Sequence, residues 1–312
     1  VALTISAILP THDRPASLER CVDSLLAQHR LPEQLIVVND GRQDLRPQLL
    51  ERLAQAGWRL QFIRRDEASS TASRNAGLAA ADGDIVVLLE DDLTLPAEFL
   101  QNLAAIYAAD THGLIGGIGP RICEPDTQSP GGRAWLAVAH LLGRGRWGPR
   151  RVASRYVTLP RDLAGTLTPV RKLSAGGLSL RREIARAFRF DEMLSGYAWG
   201  EDRELTFRIA PHHALYRAKH IEVLHHREPG GRGDWRGRGR AYVTNTLHIL
   251  DAAGGGAGTV MLVAWDLATT VLQYLAWSLP SPRRGEKLEF VAGILVELQR
   301  RFIRAAWRCL CG

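Results

Sequence analysis

Between residues 3 and 119, short and almost wholly apolar runs alternate with longer stretches whose apolar residues recur every three or four positions. No other feature of the chain narrows its fold as much. The runs at 3–9, 34–38, 60–63, 85–89 and 114–118 read as strands. A strand that is apolar on both sides must be covered on both faces, as happens in a parallel sheet flanked by helices. The stretches at 16–28, 45–56, 70–80 and 96–108 read as those helices, with Pro96 in a first turn, where proline is tolerated. Repeated strand–helix–strand units of this length give a right-handed α/β sheet, and such sheets bind ligands beyond the carboxyl ends of their strands.

Polar and acidic residues stand at those strand ends. Pro10-Thr11-His12-Asp13-Arg14 follows the first strand, Asn39-Asp40-Gly41 the second and Glu90-Asp91-Asp92 the fourth. Three adjacent carboxylates repel one another, so a cation should compensate them, and a hard divalent ion such as Mg²⁺ or Mn²⁺ suits oxygen ligands. The competing reading is a solvated acidic turn ahead of the helix near Pro96. Common nucleotide fingerprints fail. There is no Walker motif, and the GxGxxG at Gly143, Gly145 and Gly148 follows a helix-like stretch inside an Arg-rich segment, without the strand before it that the motif requires.

Taken together, Ile8-Leu9-Pro10-Thr11-His12-Asp13-Arg14, Val37-Val38-Asn39-Asp40-Gly41, Ser73-Arg74-Asn75-Ala76-Gly77, Asp82-Gly83-Asp84, Leu89-Glu90-Asp91-Asp92 and Gly200-Glu201-Asp202-Arg203-Glu204-Leu205 resemble the family 2 glycosyltransferases. The resemblance covers about residues 1–227 and implies a GT-A fold: Rossmann-like, with a mostly parallel sheet and helices on both faces. It also implies transfer of a sugar, with inversion, from a nucleotide diphosphate sugar to an acceptor hydroxyl. By the same resemblance Pro10, Thr11, Asp13 and Arg14 line the nucleoside pocket, Asp40 reads the base edge, and Arg74 stands near the diphosphate. Glu90-Asp91-Asp92 takes the place of the family's Asp-x-Asp, with Glu90 toward ribose and metal, Asp91 beside Arg14 in the nucleotide-sugar site and Asp92 as metal ligand. The first position is Glu here, one methylene longer than the family's Asp. Asp202 is implied as general base, with Glu201 and the Gly176-Gly177 turn on the acceptor side. A histidine after the strand at 221–224 completes the metal shell in relatives, and His225 is preferred to His226. The donor expected is UDP-linked, the cofactor Mn²⁺ or Mg²⁺, and the acceptor a saccharide or lipid-linked hydroxyl in cell-surface polysaccharide or glycolipid synthesis.

The residues make chemical sense of that scheme. Cleaving a sugar–phosphate bond leaves negative charge on the diphosphate, which a divalent ion and Arg74 can stabilise as it develops. The acceptor hydroxyl must lose a proton, which calls for a carboxylate opposite. Glu201 and Asp202 open a helical stretch at 201–209, where acids also serve as ordinary capping residues.

The net charge is +7, and 37 of the 40 basic residues are Arg. That balance admits nucleic acid, an anionic membrane or a phosphorylated ligand as partner. The Gly/Arg-rich stretch 228–257 is expected to be a mobile loop and linker, with Arg232 and Arg236 closing over the diphosphate as the resemblance implies. A second basic stretch holds Arg144, Arg146, Trp147, Arg150 and Arg151. Residues 258–312 are expected to be a helical extension. Within it, 259–279 is long and apolar but contains Asp266 and Gln273, which favours a helix packed on the protein or lying in a membrane interface over a span. Leu288, Val291, Leu295, Leu298, Phe302 and Ile303 form an apolar stripe beside Arg300, Arg301, Arg304 and Arg308, the pattern of a membrane-surface anchor or an oligomer contact. The four cysteines form no CxxC pair, which suits a reducing cytoplasm, at the inner face of the cell membrane. The halves of the catalytic region are expected to be 1–120 for the nucleotide sugar and 121–227 for the acceptor. Two rivals remain: a sugar-phosphate nucleotidyltransferase, which should carry a Gly-rich N-terminal loop that Pro10–Arg14 does not supply, and a non-catalytic basic module binding RNA or lipid, which has no use for Asp202. No nucleic-acid partner is expected.

Overall fold

A computed structural model describes residues 2–124, 134–135, 137–138, 141, 165–194, 198–228, 234–252, 257–278 and 283–311. The GxGxxG, the second basic stretch and Arg232 lie outside the described residues. The chain divides into two compact units. The first takes Val1–Pro125, Pro149–Met193 and Glu201–Gly231, and the second Asp126–Gly148, Leu194–Gly200 and Arg232–Gly312.

In the first unit β1 (Ile5–Thr11), β2 (Gln34–Asn39), β3 (Arg59–Arg64) and β4 (Ile85–Leu88) run parallel, in the order β3-β2-β1-β4. Helices α1 (Pro15–Leu26), α2 (Pro47–Gln55) and α3 (Ser70–Ala80) connect them, as the sequence pattern requires. The sheet continues through β8 (Leu178–Arg181), β6 (Ile115–Cys123), β9 (Ala214–His225) and β5 (Leu93–Thr94), and β7 (Leu167–Val170) pairs with β9. β8 is antiparallel to both β4 and β6, so the sheet is mixed beyond β4. Helix α4 (Phe99–Ala109) precedes β6, α5 (Arg182–Ala187) follows β8, and α6 (Glu201–Ile209) precedes β9.

Apolar residues in succession along a strand fill cores on opposite faces. Ile5, Ala7 and Leu9 join one buried cluster with Leu18, Cys21, Val22 and Leu25 of α1 and with Phe99, Leu103 and Tyr107 of α4. Ile8, Ile36, Val86 and Leu88 join the other with Leu78 of α3, Ile184 of α5 and Leu205 of α6. This alternation is why the strands must be apolar throughout. The strand expected at 221–224 is only the end of the 12-residue β9. Its earlier part alternates apolar with Arg217 and Lys219, a half-exposed pattern without a continuous apolar run to mark it.

The second unit contains α7 (Trp235–Ala252), α8 (Ala257–Ser278) and α9 (Arg284–Cys311). Residues 235–252, expected in a loop and linker, are helical, so the helical part begins earlier than the sequence suggested. Glycine in a helix costs about 1 kcal/mol against alanine, which is why a Gly-rich stretch reads as a loop. Here the glycines permit close packing. A Cβ on Gly239 would collide with the backbone of Phe290, and one on Gly293 with the backbone of Arg236, so α7 and α9 cross nearly backbone to backbone. Phe290 is fully buried at this crossing, stacked on Tyr274 at 4.2 Å between ring centroids and packed against Trp199, Trp235 and Tyr242.

Candidate active site

Every side chain of the site lies in the first unit, at or beyond the carboxyl ends of β1, β2 and β4 or on the elements facing them. β4 ends at Leu88, and the backbone N–H of Leu89 still donates to Ile8, so Glu90, Asp91 and Asp92 are the first residues free of the parallel ladder. They turn in different directions. Asp91 has no exposed surface: it accepts from the Thr11 hydroxyl at 2.9 Å and pairs with Arg14 at 2.6 Å. Burial pushes its pKa up to about 6, against the pull of Arg14 and Thr11. It thereby braces the β1 turn, although the resemblance places it in the nucleotide-sugar site. Arg14, expected beside it there, spans Asp91 and Asp92.

Glu90 and Asp92 converge on His225. Its Nε2 lies 3.2 Å from Asp92 Oδ1 and 3.4 Å from Glu90 Oε2. One ligand atom from each of the three falls within 4.8 Å of the others. β9 carries this histidine to the acids, since Leu93 of β5 pairs in register with His225. His226 points elsewhere, with Nε2 2.9 Å from the Thr94 hydroxyl. Burial opposes charge on His225, but Asp92 and Glu90 outweigh it and raise its pKa. Among the described residues this buried nitrogen has no hydrogen-bond partner of good geometry. Two carboxylates and an imidazole nitrogen so placed fit a hard or borderline divalent ion such as Mn²⁺ or Mg²⁺.

Arg74 is the hinge of the site. It is 5 % exposed in α3, one guanidinium nitrogen 3.0 Å from Glu90 and the other paired with Glu201. Burial works against its charge, yet Glu201, Glu90 and Asp202 together hold its pKa above the usual value. The same guanidinium thus reaches the acid turn after β4 and the start of α6. Glu201 Oε1 also accepts from Ser70 at 3.1 Å, while its Oε2 is buried with no hydrogen-bond partner among the described residues. Burial raises the Glu201 pKa to about 7, with Arg74 opposing and Asp202 adding to the rise. Asp202 is half-buried, and the pair Glu201-Asp202 follows Gly200, whose φ of 88° is one that L side chains rarely adopt.

At the end of β2, Asp40 is almost wholly buried. One carboxylate oxygen accepts from the Ser69 backbone at 2.9 Å and the Ser73 hydroxyl at 2.8 Å, and the other lies 3.0 Å from His12 Nδ1. Pro10 pairs with Val38 one step before the end of the β1–β2 ladder, which Thr11 closes opposite Asn39. Asp13, at φ 48°, accepts from the backbone N–H groups of Arg42 and Gln43, and the Gln43 bond is the main cause of its lowered pKa. A Cβ on Gly41 would meet Asp13 at 2.6 Å, so the glycine lets the two loops close. Gly176 stands beside Glu90: a Cβ there would be 3.7 Å from Glu90 Oε2. Gly177, at φ 83°, donates to the Leu88 carbonyl at 2.8 Å.

Some residues of the site were not singled out from the sequence. His12 partners Asp40, Ser70 partners Glu201, and Asn75 clasps the Phe190 backbone and Glu192 at 2.8–2.9 Å, fixing the ring that lies against Arg74. His12 and Asn75 stood inside the quoted motifs, but their partners lie 28 and more than 100 residues away and leave no local signal. Arg236, expected on a loop over the diphosphate, is instead in α7 and pairs with Glu289 of α9 at 2.8 Å.

The family model for glycosyl transferase family 2 matches residues 6–162, about half of the chain. Among curated proteins, EpsJ of Bacillus subtilis, described as an uncharacterized glycosyltransferase, is 29% identical over 99 residues, covering 32% of this chain and 29% of EpsJ. The glycosyltransferase GlyA of Streptococcus pneumoniae is 26% identical over 32% of this chain and only 14% of its own length. The chain thus spans less than a third of either relative. The validoxylamine A glucosyltransferase of Streptomyces hygroscopicus is 23% identical over 67% of this chain and 48% of that protein. Among solved structures, the mannosyltransferase PcManGT of Pyrobaculum calidifontis, in complex with GDP-Man and Mn²⁺, superposes with a TM-score of 0.59 at 14% identity, covering 96% of this chain and 88% of that one. Staphylococcus aureus TarS in complex with UDP-GlcNAc gives 0.55 at 14% identity, covering 96% and 92%. From the matched motifs and the shared architecture, the chain belongs to glycosyl transferase family 2 and has the GT-A fold.

Proposed function

We propose that the protein is a metal-dependent, inverting glycosyltransferase that moves a sugar from a nucleotide diphosphate sugar, UDP-linked in the first instance, to a hydroxyl of a saccharide or lipid-linked acceptor. The observation that carries the reading is Arg74, held between Glu90 of the Glu90–Asp92–His225 group and Glu201 beside Asp202. One cation thereby links the acids suited to a metal with the acids suited to an acceptor.

Glu90, Asp92 and His225 would hold Mn²⁺ or Mg²⁺, and the ion supplies positive charge to the departing diphosphate. Arg74 adds a second, preorganised charge at the same end of the reaction. Asp202 takes the proton of the acceptor hydroxyl as that oxygen attacks the anomeric carbon. Glu201, whose Oε2 has no partner among the described residues, positions the acceptor. Pro10, Thr11 and Asp13 flank the nucleoside, and Asp40 with His12 meets its base. The neighbours bound to UDP-GlcNAc and to GDP-Man support a nucleotide sugar as donor without choosing between bases.

A thermal-shift series with UDP, GDP, dTDP and their sugars, with and without Mn²⁺, tests this directly. A rise in Tm with one nucleotide that requires the ion is expected, along with loss of sugar transfer on adding EDTA and its return with excess Mn²⁺. Full transfer after thorough chelation would remove the metal from the scheme, and indifference to every nucleotide would remove the donor.

A further inference from the structure

Helix α8 is amphipathic in the wrong sense for water. From Thr259 to Ser278 its exposed positions are Val260, Met261, Ala264, Ala268, Leu272, Leu275 and Ala276, with no polar side chain among them. Met261 is 74% exposed and Leu272 51%. Its buried face carries Asp266, Thr269, Thr270, Gln273 and Ser278. At 100° per residue, Asp266, Thr269, Thr270 and Gln273 occupy one wedge and the exposed apolar residues the other. The polar wedge is anchored: the Tyr242 hydroxyl of α7 lies 3.0 Å from Thr270 Oγ1 and 3.4 Å from Asp266. The inversion is therefore built into the packing of the second unit.

A helix that spends hydrogen bonds inward and shows hydrocarbon outward is arranged as helices are in lipid. The exposed apolar strip runs from Val260 to Ala276, about 24 Å at 1.5 Å per residue. Helix α9 adds a second exposed apolar set, with Leu295 54%, Phe302 76% and Ile303 54% exposed. Exposed Arg300 and Arg304 interleave with Phe302 and Ile303. That mixture is complementary to an acyl layer under anionic headgroups. Trp265, Tyr274 and Trp277 sit half-buried along α8, the residues favoured at a membrane boundary. Among the described residues α8 is the one helix long and apolar enough to cross a membrane, with mean hydropathy 1.3. Its buried polar wedge is matched to α7, so the helix lies on its partner helix and offers lipid one side only.

We propose that the second unit seats on an anionic phospholipid surface through the outer face of α8, with the apolar and Arg residues of α9 contributing. The proposal is independent of the reading of the active site, and its test needs no sugar transfer. The full chain, purified and freed of detergent, is floated with phosphatidylcholine vesicles and with vesicles containing phosphatidylglycerol. It should rise with the anionic vesicles and much less with the neutral ones. The triple variant Met261→Ser/Leu272→Ser/Leu275→Ser touches only exposed positions, so its Tm should be unchanged while partitioning falls by about tenfold or more. Arg300→Glu/Arg304→Glu should weaken binding to anionic vesicles and leave binding to neutral ones unaltered. A wild-type chain that stays at the bottom of the gradient with anionic vesicles overturns the proposal. So does equal flotation of the triple variant. If the chain does not float but sediments as a dimer that the triple variant disperses, a second copy covers the face and the lipid assignment is wrong. Equal flotation on neutral vesicles overturns the anionic headgroup.

Discussion

Helices α1 and α8 each bury one side and show the other, yet they sort their residues in opposite ways. α1 hides Leu18, Cys21, Val22 and Leu25, leaves Asp23 exposed and keeps Glu19 and Arg20 half-exposed in surface ion pairs. α8 hides Asp266, Thr269, Thr270 and Gln273 and turns Met261, Leu272 and Leu275 outward. Each arrangement is a sensible solution, but for a different solvent. The first unit is patterned for water, with chemistry gathered at one edge of its sheet. The second is patterned for contact with something apolar. The contrast suggests a division of labour that separate measurements can break.

The largest effect should come from the acids. Asp92→Ala and Asp202→Asn should each reduce transfer by about three orders of magnitude or more, since each removes a charge the scheme requires in the transition state. Circular dichroism and Tm should stay near wild type, and vesicle flotation should be untouched. Turnover at the wild-type rate by either purified variant would strip that residue of its role. Loss of flotation together with loss of transfer would break the division between the units.

Next in size is a comparison of stability. Leu18→Ala in α1 removes a fully buried side chain from the main core and should cost about 2–5 kcal/mol, read from urea unfolding. A cost under 1 kcal/mol would mean that α1 is not packed as described.

The positions of the first four strands, the helices between them and the acid turn after β4 were legible because each is a local pattern: an apolar run, a three-to-four-residue period, a carboxylate cluster at a strand end. That His225, and not His226, lies beside Glu90 and Asp92 was also within reach, because strand alternation assigns the two to opposite sides. The inward turn of Asp91 was not legible, since it depends on Thr11 and Arg14 at a distance of some 80 residues. Helix α7 was hidden by its glycines, whose purpose is visible only once α9 lies across Gly239. The inversion of α8 was half visible. The sequence shows that Asp266 and Gln273 interrupt an apolar run, but only packing shows that they face inward.

Asp84 offers a smaller effect with a definite sign. Its carboxylate accepts from the Thr4 backbone at 2.9 Å and hydroxyl at 2.8 Å, and these bonds, with Arg182 nearby, lower its pKa. A group whose folded pKa is depressed contributes stability above its unfolded pKa and loses it as pH falls through the folded value. The contribution should therefore be intact at neutral pH and fade below the ordinary carboxylate range. Because the side chain is 39% exposed, it should stay below about 1 kcal/mol. Asp84→Asn should lower stability slightly at pH 7 and flatten the acid limb of the stability curve; an unchanged acid limb would show that Asp84 does not shape it.

The smallest effect is the most telling for the contrast between α1 and α8. Leu272→Ala deletes the same atoms as Leu18→Ala, from a helix of similar regularity, but at a position 51% exposed. In aqueous buffer the lost contacts are few and alanine is the better helix former, so the change in stability should lie within about 0.5 kcal/mol of zero. Added anionic vesicles should separate the two variants in the other direction, because only Leu272 loses a contact with the acyl layer. Leu18→Ala should then bind vesicles as the wild type does wherever it remains folded, and Leu272→Ala should bind them more weakly at undiminished stability. If instead Leu272→Ala proved as costly in plain buffer as Leu18→Ala, the outer face of α8 would already be covered in solution, and the opposition between the two helices would disappear.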